Sequence, residues 1–391
     1  RYDGNGNLLS VNEAVNNQTQ VFRYDPLNRL VGPRSFSSTQ PLFSAAPTLL
    51  TQIQTMDNET AVVPGQASVP WLTATVTRIT ANGAQVALER SEAAVGPVSV
   101  PEKVAYLAMA TGSQGSFTDN RGNTVLYESV QGGNTIMGWA DGCFNISFAT
   151  NYPFNPLVMA TKSTHYGGDG GWLRRCNLGT NFVGLTVDED LYLDNERAHI
   201  TESAGLVVFS QPFEANIVSN GGNWNMAAGR VTLNNTFSNP TATSVTFQQA
   251  FNVVPYVFVI ASNEGGDPSA VRITNVSATG FELAQVEPSG NDGPHVPMTV
   301  HYLAIEPGVH QLPNGQYIDV GSLNVGSIQH GASVSGTKNW QPLNFARRPG
   351  TSAPPVTSPL AQNVTYDKNS NRTGLTDNNG VNRYGYEPNS N

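Results

Sequence analysis

Val104-Ala105-Tyr106-Leu107-Ala108-Met109-Ala110-Thr111-Gly112 recurs as Val300-His301-Tyr302-Leu303-Ala304-Ile305-Glu306-Pro307-Gly308, and this pair decides the fold. Each copy is a short apolar run closed by glycine, which reads as a strand rather than a helix. A second pair lies upstream. Ile79-Thr80-Ala81-Asn82-Gly83-Ala84-Gln85-Val86-Ala87-Leu88 matches Val276-Ser277-Ala278-Thr279-Gly280-Phe281-Glu282-Leu283-Ala284-Gln285. Gly83 and Gly280 each separate a polar pair from an alternating run, so both read as hairpin positions needing φ > 0. The offsets are 197 residues at the glycine and 196 at the tyrosine. A middle copy lies about halfway, at Asn181-Phe182-Val183-Gly184-Leu185 and Glu202-Ser203-Ala204-Gly205-Leu206-Val207. Three related modules follow from these repeats.

The strands leading into each module repeat too. Ser147-Phe148 and Phe154 to Ala160 parallel Thr246-Phe247 and Phe251 to Val259, with a degraded version from Ser35-Phe36 to Leu50. A further lead-in, Asn339-Trp340-Gln341-Pro342-Leu343-Asn344-Phe345, has no module body after it. Elsewhere, runs such as Trp71–Thr80, Gly205–Phe209 and Pro255–Ile260 alternate or are β-branched, bounded by Gly, Pro, Asn or Asp. Helical spacing is hard to find. The expected class is all-β: three tandem antiparallel sandwiches over 35–130, 131–216 and 217–325. An orphan strand and Pro-rich linker take 326–356, and the ends, 1–34 and 357–391, form hairpins.

Composition narrows the function. The 391 residues carry 38 Gly and 25 Pro, 39% hydrophobic and only 13% charged residues, about half the usual charge density. A long exposed helix is excluded. A net charge of −9 and a pI near 5.1 disfavour nucleic acid, whose non-specific affinity comes from Lys and Arg on phosphates. No apolar stretch approaches the length of a membrane-spanning helix. The chain begins at Arg1 without Met or a signal-like segment, which reads as a processed chain or an excerpt. Cys143 and Cys176 leave two readings open, a disulfide or two small buried hydrophobes. Sequons at Asn17, Asn58, Asn145, Asn234, Asn275, Asn363 and Asn371 are frequent in an Asn- and Thr-rich chain and decide little.

The ends carry a more specific pattern. Tyr2-Asp3-Gly4-Asn5-Gly6-Asn7-Leu8 and Tyr24-Asp25-Pro26-Leu27-Asn28-Arg29-Leu30 stand at one end. Tyr366-Asp367-Lys368-Asn369-Ser370-Asn371-Arg372 and Tyr386-Glu387-Pro388-Asn389-Ser390-Asn391 stand at the other. These segments resemble the YD repeats of the Rhs/YD-repeat family. In such a repeat the Tyr packs on a sheet and the Asp forms an Asx-type turn. Ser370 and Glu387 depart from the pattern, and the last copy stops before any Arg-Leu. The family's repeats wind into hollow β-shells in toxins and cell-surface proteins, and about two copies per end are too few to close one. Residues 35–345 resemble the H-type-lectin-like sandwiches of bacterial surface proteins, through the Gly-[Phe/Ala] and Val-[Ala/His]-Tyr-Leu-Ala strands. That likeness implies a fold and leaves the ligand open.

Candidate chemistry is sparse. Asp3-Asn5-Asn7 and Asp367-Asn369-Asn371 echo a calcium loop without its Glu at position 12, and the turn reading covers both. Asp188, Asp190 and Asp194, with Glu189 and Glu196, form the densest acidic run. It reads either as a Ca²⁺ site or as a solvated hairpin tip. Tyr166, Asp169 and Trp172 flank a Gly-rich loop and could stack a sugar, or the loop could be plain with Trp172 half-buried. His295 and His301 share a strand face but lack further zinc ligands nearby. No nucleophile elbow, zinc-protease or phosphate-loop motif occurs, so no catalytic residue is named. The expectation is a secreted or cell-surface, non-catalytic structural or adhesive protein without cofactor. Three sandwiches would form a rod and assemble head to tail by strand pairing at exposed edges. The alternatives are a carbohydrate-binding module and an excerpt of an Rhs toxin shell.

Overall fold

The computed structural model describes residues 10–13, 18–21, 35–59, 67–90, 96–168, 170–192, 195–219, 222–288, 294–326, 328–329, 340–349, 363–366, 372–377 and 380–383. The protein is all-β, and it divides into a unit of Pro41–Ala346 and a unit made from both ends, Arg1–Gln40 with Arg347–Asn391. The strands, in chain order, are β1 (Ser10–Glu13), β2 (Gln18–Val21) and β3 (Ser35–Pro41) at the start. Then come β4 (Thr48–Ile53), β5 (Ala67–Ser68), β6 (Thr73–Thr80), β7 (Gly83–Glu89) and β8 (Glu102–Met109). The middle holds β9 (Gln114–Thr118), β10 (Thr124–Gln131), β11 (Phe144–Ser147), β12 (Leu157–Lys162), β13 (Trp172–Leu178), β14 (Phe182–Asp188) and β15 (Ala204–Phe209). Next are β16 (Phe213–Ser219), β17 (Gly222–Thr232), β18 (Thr243–Thr246), β19 (Tyr256–Ala261), β20 (Ala270–Ser277), β21 (Gly280–Pro288) and β22 (Thr299–Ile305). The chain ends with β23 (Gly308–Gln311), β24 (Tyr317–Val325), β25 (Ile328–Gln329), β26 (Gln341–Asn344), β27 (Arg347–Pro349), β28 (Asn363–Tyr366), β29 (Arg372–Asp377) and β30 (Gly380–Arg383).

Three sandwiches emerge, each a four-stranded inner sheet and an outer sheet of three or four strands, with β5 pairing on β21 in the third. The second has inner order β12-β15-β10-β9 and outer order β11-β14-β13; the third has β19-β22-β17-β16 and β18-β21-β20. The first needs strands from both ends of the unit: β4-β8-β24-β23 inside, and β6-β7 with β26 and β25 outside. Pairing therefore moves several expected boundaries: β9 and β10, expected in the first sandwich, belong to the inner sheet of the second. Gly308–Val325 completes the first sandwich rather than the third. The strand expected to be an orphan lies antiparallel on β7, with Gln341 opposite Val86 and Asn344 opposite Gly83. Its register matches that of β18 on β21, where Thr246 faces Gly280.

A rod is excluded by the packing of the inner sheets. Along β8, Val104, Tyr106 and Ala108 face the first sandwich's own core with Leu49, Val86, Leu343 and Phe345. The alternate residues Ala105, Leu107 and Met109 enter a different core, shared with Leu157, Val207, Phe209, Phe258, Leu303 and Ile305 of the other two sandwiches. The same division holds in β15 and β22, where Leu206 and Val300 face outward cores and Val207 and Leu303 the shared one. The central inner strands β8, β15 and β22 are buried on both faces, which explains why they read as continuous apolar runs. Fully burying each such side chain contributes roughly 1.5–3 kcal/mol.

Two glycines have a different cause from the expected one. Gly83 and Gly280 do not take positive φ; that conformation falls at Arg78 and Asn275, five residues upstream, where each hairpin bulges. A Cβ on Gly83 would meet the Leu343 carbonyl oxygen at 2.0 Å, and one on Gly280 the Val245 oxygen at 2.3 Å. The glycines let the lead-in strand approach.

In the terminal unit β1, β2, β3 and β27 share one sheet, and β28, β29 and β30 form another. Tyr366 is the last residue of β28. Tyr2, Asp3, Asn7, Tyr24, Asp25, Asn28, Arg29, Asp367, Asn371 and Tyr386 lie outside the described residues.

Candidate functional site

Asp188, Glu189 and Asp190 of the acidic run are buried rather than on a solvated tip, while Glu196 is exposed. Asp188 ends β14 fully buried, and its two oxygens take Arg174 from β13 (2.9 Å) and the Arg197 side chain, whose Nε donates at 2.9 Å. With both oxygens held by guanidinium groups, Asp188 is not open to a cation. Arg174 also donates to the carbonyls of Ser262, Glu264 and Asp267 in the third sandwich. Glu189 bonds His199, whose other ring nitrogen faces Glu202 at 3.3 Å. Glu202 in turn accepts from the Tyr166 and Gly167 amides. Burial resists charging His199, yet the flanking carboxylates raise its pKa; Glu202 is lowered to about 2 against its own burial by His199, Lys162 and Thr164. Asp190 is buried as well, and Asp194 lies outside the described residues. Among the described residues no group of three His, Cys, Asp or Glu is placed to hold a metal.

The proposed sugar platform is not assembled as expected. Tyr166 is 60% exposed, but Trp172 is 8% exposed and is committed elsewhere. Its indole donates to the Ser269 carbonyl (2.9 Å), and its ring packs on Trp71 at 4.7 Å between centroids. Asp169 lies outside the described residues. Of the two histidines, His301 is buried in the seam between sandwiches and accepts from the Val158 amide. Burial and two nearby arginines lower its pKa to about 3, and it takes no part in a metal cluster.

Cys143 and Cys176 form a disulfide, which resolves that alternative. It ties the start of β11 to the bulge of β13, where Cys176 is the residue left without a partner on β14. A Cβ on Gly184 would sit 2.3 Å from the Cys143 sulfur, so the strand between them carries glycine.

Equivalent strands of the three sandwiches converge on a cavity of about 100 Å³. Its walls are β4 and β6 from the first, β12 and β13 from the second, and β19 and β20 from the third. The lining joins apolar Ile53, Leu72, Leu173 and Val271 to Thr51, Thr73, Lys162 and Arg272. Arg272 uses Nε on Glu59 (2.9 Å) and lies over the Trp71 ring at 4.7 Å. Its Nη2, with Thr51 Oγ1 and Thr73 Oγ1, is buried without a hydrogen-bond partner. Lys162 Nζ makes long contacts to Glu89 (3.4 Å) and the Gly170 carbonyl (3.3 Å). Sequence reading missed this site, because Thr51, Lys162 and Arg272 come from three different sandwiches that only the fold brings together.

Comparison with known proteins found no matching family model, curated protein or solved structure.

Proposed function

We propose that the protein is a non-catalytic extracellular structural or adhesive element, which associates with copies of itself through sheet edges. The observation that carries the reading is the set of outer edge strands. β11 (Phe144-Asn145-Ile146-Ser147), β18 (Thr243-Ser244-Val245-Thr246) and β26 (Gln341-Pro342-Leu343-Asn344) each end an outer sheet and carry no charged residue. Uncharged edges lack the lysines that usually block strand addition. Each edge is only four residues long, so one pairing is weak and assembly depends on several acting together. Because β26 is already paired with β7, the strand does not wait for a neighbour; among the described residues no strand pairs with its outer side. The disulfide fits an oxidising compartment. The YD-like ends fit a surface protein in which the sandwich block is set between repeat segments.

Negative-stain microscopy and light scattering of the full chain at rising concentration test this. Filaments or growing oligomers are expected, and lysine at the equivalent exposed positions Ser147 and Thr246 should suppress them. A monodisperse monomer at high concentration overturns the reading.

A further inference from the structure

The cavity at the convergence of the three sandwiches carries a charge pattern of its own. Among the described residues its lining holds two cations, Lys162 and Arg272, and no Asp or Glu. The carboxylates that neutralise them, Glu89 and Glu59, contact them from outside the lining. Arg272 is 6% exposed and Thr51 3%, and both present unpartnered polar atoms. A buried donor left unpaired is destabilising, so a group that supplies acceptors here relieves that cost. The rest of the wall is apolar. The volume is below the ~150 Å³ cavity that accepts benzene, which limits an occupant to a few heavy atoms. Thr55 and Met56 in the lining are half-buried.

We propose that this cavity is a binding site for a small monocarboxylate with a short apolar tail. The carboxylate accepts from Arg272 Nη2 and the Thr51 and Thr73 hydroxyls, and the tail lies against Ile53, Leu173 and Val271. The guanidinium suits the role because Glu59 already holds its Nε, which fixes the plane of the group and leaves Nη2 with donors to spare. The site is independent of the edge-strand assembly, and either reading stands without the other.

The test titrates the full chain with sodium propionate, against propionamide of the same shape and sodium chloride of the same ionic strength. Tryptophan fluorescence reads the cavity through Trp172, and thermal unfolding reads linkage. Propionate should raise Tm and change the fluorescence, with propionamide about tenfold weaker because it lacks the charge. Arg272→Gln should abolish the preference for propionate, and the near-isosteric Thr51→Val should weaken binding while keeping the fold. Equal effects of propionate and propionamide overturn the proposal. So does the absence of any effect beyond the chloride control, or a crystal structure grown in propionate with only water in the cavity. If Arg272→Gln does not fold, Thr51→Val and the amide control decide.

Discussion

Asp188 holds two arginines that come from different directions, one along the sheet and one from the loop before β15. All three groups are nearly excluded from water, with side-chain exposures of 0%, 0% and 5%. The pairing itself adds little net stability, since desolvating three charges offsets most of their attraction. Removing the anion leaves two uncompensated buried cations, which is far worse. Asp188→Asn should therefore cost about 3–5 kcal/mol, measured as a shift of the urea midpoint at unchanged slope. A shift of under about 1 kcal/mol would mean the arginines find other acceptors. The neighbouring His199 and Glu202 give stability a pH signature. Glu202 is depressed to about 2, so its contribution is complete above its ordinary 4.5 and is lost as pH falls toward 2. His199 is raised above its ordinary 6.5, so its contribution is complete below 6.5 and is lost as pH rises through the folded value. Stability from this pair should be flat between about 4.5 and 6.5 and decline on either side. His199→Gln should remove the alkaline decline; urea midpoints measured across pH would show it, and an unchanged profile in the variant would refute the assignment.

At the scale of elements, β26 is the strand that local sequence describes well and places badly. Its resemblance to the other lead-ins is visible in Leu343 and Phe345, which match Val245 and Phe247. Its partner is not visible, because alternation encodes which face is buried and not which strand lies alongside. β7 is more than two hundred residues upstream, and only the equivalent register on Gly83 and Gly280 ties the two cases together. The glycines show the same limit: the repeat marked the right positions, but the reason was a carbonyl pressed against them, which only the third strand reveals. Phe345 packs on Phe43 at 5.6 Å and on Tyr106 at 6.1 Å, and it is 5% exposed. Phe345→Ala should thus cost about 3–5 kcal/mol, close to Phe247→Ala at the equivalent site. A much smaller cost at 345 would mean β26 is only loosely docked. The disulfide acts on another element pair and closes a loop with sequence separation 33. Replacing both cysteines by serine should cost about 3–4 kcal/mol on chain-entropy grounds, read by thermal unfolding with and without reductant.

For the molecule as a whole, what matters is that three sandwiches share one core and that the first is finished by the last segment of its unit. Leu312, Ile318 and Val320, from the segment after Pro307, stand in the shared core beside Met109, Phe209 and Ile305. The seams are bridged in the same sense: Arg174 reaches from the second sandwich into the loop after β19, and Arg272 from the third to Glu59 after β4. The hairpin tips act likewise, with Asn314 donating to the Gln114 carbonyl and Asn120 accepting from the Asn216 amide. Sequence repeats made the number of modules legible, and even the lead-ins, but a repeat count does not distinguish beads on a string from parts of one core. The distinction lies in the second face of each inner strand. Alternation is visible in a strand with one solvated face; here both faces are apolar and the pattern disappears. The two architectures differ in how they fail. In a string of independent sandwiches, a chain ending at Pro307 would lose only the first, and the other two would melt as before. In the shared core, the same truncation strips β23, β24 and β26 and opens the face against which Met109, Phe209 and Ile305 pack. Unfolding of residues 1–307, followed by circular dichroism and limited proteolysis, should show loss of the cooperative transition throughout, with cleavage in the second and third sandwiches. Two protected sandwiches surviving with a native-like melting temperature would show that the common core contributes contact without cooperativity.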